Sequence, residues 1–180
     1  MFIKRFFISH VPSYLQRREI ITISQGDRIH HPNHGIGKVQ SIRRRSFSGE
    51  NGARFAEIFF KREGITLLLR ENSLDNTIRA PIGPSLAKNL LDHMKKWKAK
   101  VSDQSKTRAN AHQAMMDGND PHAYAEVYKG LRVLEQDEAL STIDRRQLKR
   151  CAQYLSEELA NALGQTQGKA LDLMTQATRV

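Results

Sequence analysis

At Pro81-Ile82-Gly83-Pro84 the sequence changes its hydrophobic period, and no single sheet or bundle can run across that change. Two prolines in four residues cannot continue a central strand or a helix interior, so the tetrapeptide reads as a junction. Upstream, from Gly26, short runs alternate apolar and polar side chains between turn residues. Asp27 to His31 reads as a strand, Pro32-Asn33-His34-Gly35 as a turn, and Gly37 to Ile42 as a half-buried strand. Phe47 to Gly52 is a Gly/Asn turn, Phe55 to Phe60 a strand, Lys61 to Gly64 a turn, and Ile65 to Leu69 another strand. Strands this closely spaced imply a small antiparallel barrel or a strongly bent sheet.

Downstream the period is helical. Leu86, Leu90, Met94, Trp97 and Val101 form one stripe. Ala111, Ala114 and Met115 mark a shorter helix that ends at Asp117-Gly118. Asp120-Pro121 opens the next, with a capping carboxylate followed by proline where the missing N–H costs nothing. Tyr124, Val127, Tyr128, Leu131 and Leu134 line its inner face. Ser141-Thr142-Ile143-Asp144 is a capping box with Asp in place of the usual Glu. It starts a long helix with Leu148, Cys151, Ala152, Leu155, Leu159, Ala162 and Leu163 inward, stopped by Gly164. The fold class is α+β. The expected divisions are an extension over 1–24, a β domain over 25–82 and a helical domain over 83–180.

Charge is divided along the same line. The 180 residues carry 29 Lys+Arg and 19 Asp+Glu, a formal net charge of +10. Residues 1–80 hold 14 basic and 7 acidic side chains, residues 81–110 hold 7 and 2, and residues 111–180 hold 8 and 10. The positive field therefore sits on the first half and the junction, which points to an anionic partner, nucleic acid first. A solvated basic surface is the plain alternative. With 39% hydrophobic and 27% charged residues the composition is that of a globular chain. No apolar run approaches the roughly 18 residues of a membrane span. The single cysteine fits a reducing compartment, and no cleavable leader pattern comes after the basic, apolar start, so the expected location is the cytoplasm.

No catalytic set assembles. Cys151 lies on an apolar helix face without a histidine beside it and reads as a core residue. His30, His31 and His34 lack a well-spaced fourth ligand, so no metal is assigned. No phosphate loop, dinucleotide fingerprint or paired carboxylates occur, so neither a cofactor nor an enzymatic activity is expected. Arg43 and Arg45 share one side of their strand and Arg44 takes the other. They are either a charged strand that resists aggregation or a patch for an acidic surface. Trp97 lies among Lys95, Lys96, Lys98 and Lys100. Its register with Leu90 and Met94 places it in the core, and its lysine flanks leave a base-stacking or wedging role as the alternative.

The run Gly26-Asp27-Arg28-Ile29-His30-His31-Pro32-Asn33-His34-Gly35-Ile36-Gly37-Lys38-Val39-Gln40-Ser41-Ile42 resembles the opening of CarD/CdnL-type bacterial transcription regulators. Phe55 to Leu69 is similar to the later strands of that domain, and Thr77-Ile78-Arg79 to its exit. Tyr124 to Leu131 and Asp144 to Leu148, followed by Glu157-Glu158-Leu159-Ala160, resemble two of the family's helices. The resemblance spans about residues 25–163. It implies a small Tudor-like antiparallel β-barrel that docks on the β subunit of bacterial RNA polymerase, and a compact all-α domain that contacts promoter DNA. The protein would then modulate open-complex stability without catalysis, as a monomer away from any membrane. Arg43, Arg45, Leu67 and Leu68 are the implied polymerase-facing residues. Lys100, Lys106 and Arg108 are the implied DNA contacts, with Trp97 a weaker fourth.

The chain also departs from the family pattern. His31 stands where the turn usually has tyrosine, Leu68 replaces a polymerase-facing arginine, and Leu69-Arg70 replaces Val-Pro. The family's Trp-Ser-Arg-Arg segment aligns with Ser105-Lys106-Thr107-Arg108, which lacks the tryptophan. Phosphate contacts alone would give salt-sensitive binding without a wedge. Two rival readings are a nucleic-acid-binding module independent of polymerase, on RNA or the ribosome, and a metal enzyme built on the three histidines.

Overall fold

The computed structural model of the protein describes residues 22–46, 52–98 and 101–179. Most of the expected extension, nearly all of the turn at 47–52, and Lys100 lie outside the described residues. Four strands form one antiparallel meander: β1 (Arg28–His31), β2 (Gly35–Arg45), β3 (Ala53–Phe60) and β4 (Ile65–Arg70), in that spatial order. A 3₁₀ turn and the single-turn α1 (Leu74–Thr77) come next. Five helices then build the second half: α2 (Pro84–Lys96), α3 (Ser105–Asp117), α4 (Pro121–Gln136), α5 (Thr142–Leu163) and α6 (Gln167–Ala177). Among the described residues no helix is long and apolar enough to cross a membrane.

The sheet is open. Its edges are β1 and β4, and among the described residues no ladder joins them into the expected barrel. Part of the reason is that β1 has only four residues and Arg79 occupies its outer edge. His30 N–H donates to the Arg79 carbonyl at 2.8 Å, and Arg79 N–H donates back at 3.1 Å.

One irregularity sets which side chains face which way. Val39 and Ile42 are both apolar, yet three residues apart they point to opposite faces of a regular strand. A β-bulge between Val39 and Ser41 resolves the conflict. Val39 pairs with Ile58 and Ile42 with Ala56, so both pack on the inner side with Phe60, Leu67 and Leu69. Ser41 pairs with Glu57, and Arg43 with Phe55, on the opposite side.

Glycines are required where the motif turns. Gly35 sits at φ 69° and Gly64 at φ 67°. Gly37 adopts ordinary dihedrals, but a Cβ there would lie 2.6 Å from Ile58 Cγ2 and 2.7 Å from Phe60 Cε1, so the sheet packs against its bare backbone. Leu74 and Ile78 close the sheet's core from below.

The helical half has its own core, in which Leu90, Met94, Tyr124, Leu131, Cys151 and Leu155 are buried together. Burying each large apolar side chain contributes roughly 1.5–3 kcal/mol. Two of its helices, α4 and α5, start on the signals read from the sequence. Asp120 Oδ1 accepts from His122 N–H at 2.9 Å, Ser141 and Asp144 form the reciprocal capping box, and Gly164 ends α5 at φ 62°.

Two faces differ from expectation. The α2 stripe stops early: the helix ends at Lys96, Leu86 is 37% exposed, and Trp97 swings to ψ 129°. Lys129, buried on α4, donates its ammonium to the Met94 and Lys95 carbonyls, which closes the helix end with a positive charge. In α3 the inner residues are Arg108, Ala109 and Met116, while Ala111 and Ala114 face solvent. Helix α6 lies beyond the last helix expected from the sequence. Thr166 caps it by accepting from Lys169 N–H at 3.3 Å, and Ala170, Met174 and Ala177 face inward.

Gly35 and Gly64 share a backbone conformation but differ in surroundings. A Cβ on Gly35 would lie 2.7 Å from Glu157 Oε2 and 2.8 Å from Arg62 Nη1, whereas nothing lies within 4 Å at Gly64. Gly64→Ala should therefore cost about 1–2 kcal/mol, the left-handed penalty alone. Gly35→Ala should cost about 1–3 kcal/mol more, because it must also part an ion pair that joins the two halves. Denaturant melts of the two variants check this, and equal losses would show that the seam yields without cost.

Candidate functional site

The outer face of the sheet is cationic and partly apolar. Residues paired across antiparallel strands share a face, so Arg43, Phe55 and Arg70 form one row and Ser41, Glu57 and Leu68 the next. Arg45, opposite Ala53, continues that side beyond them. The Arg70 guanidinium lies 5.7 Å from the Phe55 ring centroid and covers it. Glu57 accepts from Ser41 Oγ at 2.6 Å and from the Arg45 guanidinium. The Ser41 hydrogen bond, helped by the charges of Arg45 and Arg43, holds its carboxyl below the ordinary range against the opposing effect of burial. Leu68 is 41% exposed on this face. Three of the four polymerase-facing candidates, Arg43, Arg45 and Leu68, are thus brought together. Leu67 is not. It pairs with Ile58 and packs into the sheet's core.

The expected DNA end is rearranged. Arg108 is 4% exposed and turned inward. Its Nη2 donates to Asp144 Oδ2 at 2.6 Å, its Nε to Oδ1 at 3.2 Å, and its Nη1 to the Ser102 carbonyl. The same Asp144 oxygen accepts from Ser141, so one carboxylate caps α5 and binds α3. Burial would raise the Asp144 carboxyl, but these donors outweigh it and hold it at about 2. Arg108 is a structural cation, and of the three basic DNA candidates only Lys106 is described at the surface.

The Arg108–Asp144 pair also draws the first turns of α3 and α5 together. Exposed Lys106 on one and exposed Arg145, Arg146 and Lys149 on the other then lie at one end of the helical half. Sequence reasoning passed over the last three. Their signal was a cationic outer face opposite the apolar one of α5. Trp97 is half-buried and outside the core cluster, with its ring 6.5 Å from that of His93. His93 in turn bonds Glu126 at 3.0 Å. The expected core position of Trp97 is corrected, because α2 ends one residue before it.

The three motif histidines do not converge on a common point. His31 and His34 lay their rings against the buried Phe60, with centroids at 5.8 and 5.1 Å. His34 pairs outward with Glu63, and His31 Nδ1 accepts from Asn33 N–H at 3.1 Å. His30 is fully buried between the halves. Its Nδ1–H donates to Asn119 Oδ1 at 2.7 Å, which leaves Nε2 without a hydrogen bond, 4.0 Å from Glu158. Burial pushes His30 down to about 4, aided by the Arg79 charge and opposed by Glu158. Among the described residues no group of His, Cys, Asp or Glu is arranged to hold a metal. Cys151 is buried against Met116, and desolvation pushes its thiol up to about 12.

Two measurements test this placement. Arg108→Ala leaves Asp144 buried without its cation and should cost about 3–5 kcal/mol, whereas Lys106→Ala should stay within about 0.5 kcal/mol. A thermal melt in which both were neutral would return Arg108 to the surface. Acidification should also destabilise the fold. The unfolded chain protonates His30 near the ordinary value of 6.5 and the folded chain resists down to about 4, so stability falls as pH drops through that interval. For His30 the full effect is on the order of 3 kcal/mol. Substituting glutamine for His30 should flatten the pH–stability curve between those values, and an unchanged slope would assign it to other groups, His31 first.

Residues 89–175 match the family model described as CarD, C-terminal domain. The match begins inside α2 and runs into α6, so it takes in nearly all of the helical half, including the helix that the sequence pattern had not marked. The sheet lies outside it. No curated protein matches the chain. Over residues 89–175 the helical half is thus a match to the CarD C-terminal domain, carried behind a four-stranded antiparallel sheet, and this supports a CarD/CdnL-type protein.

Proposed function

We propose that this protein binds bacterial RNA polymerase through the polymerase β subunit and modulates the stability of promoter open complexes. In this reading it is a cytoplasmic, non-catalytic monomer. The open sheet serves as the family's Tudor-like polymerase-facing domain and docks by its outer face. The helical half meets promoter DNA. The observation that carries the reading is the CarD C-terminal domain joined to a sheet that gathers Arg43, Arg45 and Leu68 on one exposed side. An apolar side chain flanked by guanidinium groups suits an acidic protein surface, where charge sets encounter rate and register. At the DNA end, Lys106, Arg145, Arg146 and Lys149 replace Arg108 as the phosphate contacts. Such contacts position a duplex without reading its sequence.

Capture from a nuclease-treated bacterial lysate tests the reading. Polymerase subunits should be retained, and their loss on nuclease treatment would favour a nucleic-acid-binding module that acts without polymerase. Arg43→Glu should weaken binding to the isolated β lobe by about 1–3 kcal/mol and leave the melting temperature unchanged, since the side chain is exposed. Arg145→Ala with Arg146→Ala should lower DNA affinity and reduce the salt slope by about one to two units. A duplex titration with the wild-type slope would place the DNA contact elsewhere.

A further inference from the structure

We infer that a polar stripe on α5 latches the two halves into one rigid body, and that Glu158 is its positioning residue. This goes beyond the proposed function and rests on it only for the regulatory consequence. The two hydrophobic clusters are separate, so neither apolar core by itself fixes how the sheet sits on the helices. Across the seam the His30 ring meets Tyr124 and Tyr154 edge-on, each at 5.9 Å between centroids, and the directional contacts there are hydrogen bonds and ion pairs. Arg150, Tyr154, Glu157, Glu158 and Asn161 recur at helical spacing, and each touches the sheet half or its exit.

Arg150 and Tyr154 donate to the Pro32 and Asn33 carbonyls of the turn before Gly35. Glu157 accepts from Arg62 Nη1 at 2.8 Å, and Arg62 Nη2 also donates to the His34 carbonyl at 2.8 Å. Glu158, 1% exposed, accepts from both terminal nitrogens of Arg79 and from Ile82 N–H at 2.9 Å. Arg79 in turn donates its Nε–H to the Asn119 carbonyl at 2.6 Å and pairs its backbone with His30.

Three segments therefore meet at one carboxylate: β1 through His30, the exit segment over 79–82, and α5. Hydrogen bonds to a buried charge are directional, and a partly made set leaves that charge unpaired at high cost. The seam thus has one well-defined docked geometry and no cheap intermediate. Under the proposed function, it holds the polymerase-facing sheet and the DNA-facing helices at a set distance and angle. The regulatory effect then depends on that geometry as well as on the two affinities.

The test uses the full chain in two variants: Glu158→Gln, and Arg150→Ala with Tyr154→Phe, which keeps ring volume and is the milder. Residual dipolar couplings report the orientation of each half, and circular dichroism confirms that both halves remain folded. In the wild type one alignment tensor should fit both halves, whereas in the variants two tensors should be needed. Affinities for the isolated β lobe and for promoter duplex should each stay within about twofold, while the gain in open-complex lifetime should shrink at least about fivefold. A single tensor in both variants would overturn the latch. A lifetime loss tracked by an equal loss of affinity for one partner would overturn its positioning role. Failure of the wild type to bind polymerase would sink the proposed function and leave the tensor result to judge the latch.

Discussion

A carboxylate removed from water costs several kcal/mol unless donors surround it, and Glu158 is surrounded. Burial alone would raise its carboxyl, but the Arg79 hydrogen bonds and charge outweigh that and hold it below the ordinary range. Much else is arranged about this pair. Arg79 can reach α5 only because its backbone is pinned to His30, and His30 can be buried neutral only because Asn119 takes its ring N–H. Asn119 adopts φ 56°, a conformation asparagine tolerates better than most side chains. Substitution at any of these positions exposes the others to an unpaired polar group.

The Pro-Asn-His-Gly-Ile-Gly run gains a physical meaning from this arrangement. It supplies the carbonyls that Arg150 and Tyr154 capture, and, with His31 just before it, two histidine rings that cover Phe60. It also supplies a bare backbone at Gly35 against which Glu157 and Arg62 can pair. All of this is packing and docking. The surfaces with exposed charge lie elsewhere, on the outer sheet face and on the outer faces of α3 and α5.

Local chemistry made several elements legible in the sequence. Asp120-Pro121, Ser141 with Asp144, and Gly164 act within one helical turn, so their signals survive without knowledge of the fold. Arg108 was illegible because its partner, Asp144, is distant in sequence, and a lone arginine among polar residues looks like surface. The end of α2 depends on Lys129, reaching from another helix. The face of α3 was misjudged for the same reason, since Arg108 rather than the alanines decides which side is buried. Helix α6 is short and its spacing sparse, but its Thr166 cap was available to be read.

The bulge in β2 bears on how this sheet tolerates change in length. Strand β2 is read in a frame, much as a message is, and Gln40 is the extra unit that sets the frame for the residues after it. Loss of that residue would leave an unbroken alternation that keeps Ile42 on the inner side with Val39, whereas straightening the strand with Gln40 retained would carry Ile42 to water and turn Arg43 and Arg45 inward. Straightening changes no turn and removes no charge, yet it would exchange the two sides of the sheet's outer end. With Gln40 present, the bulge is therefore as binding a constraint on this surface as the identity of any side chain it displays.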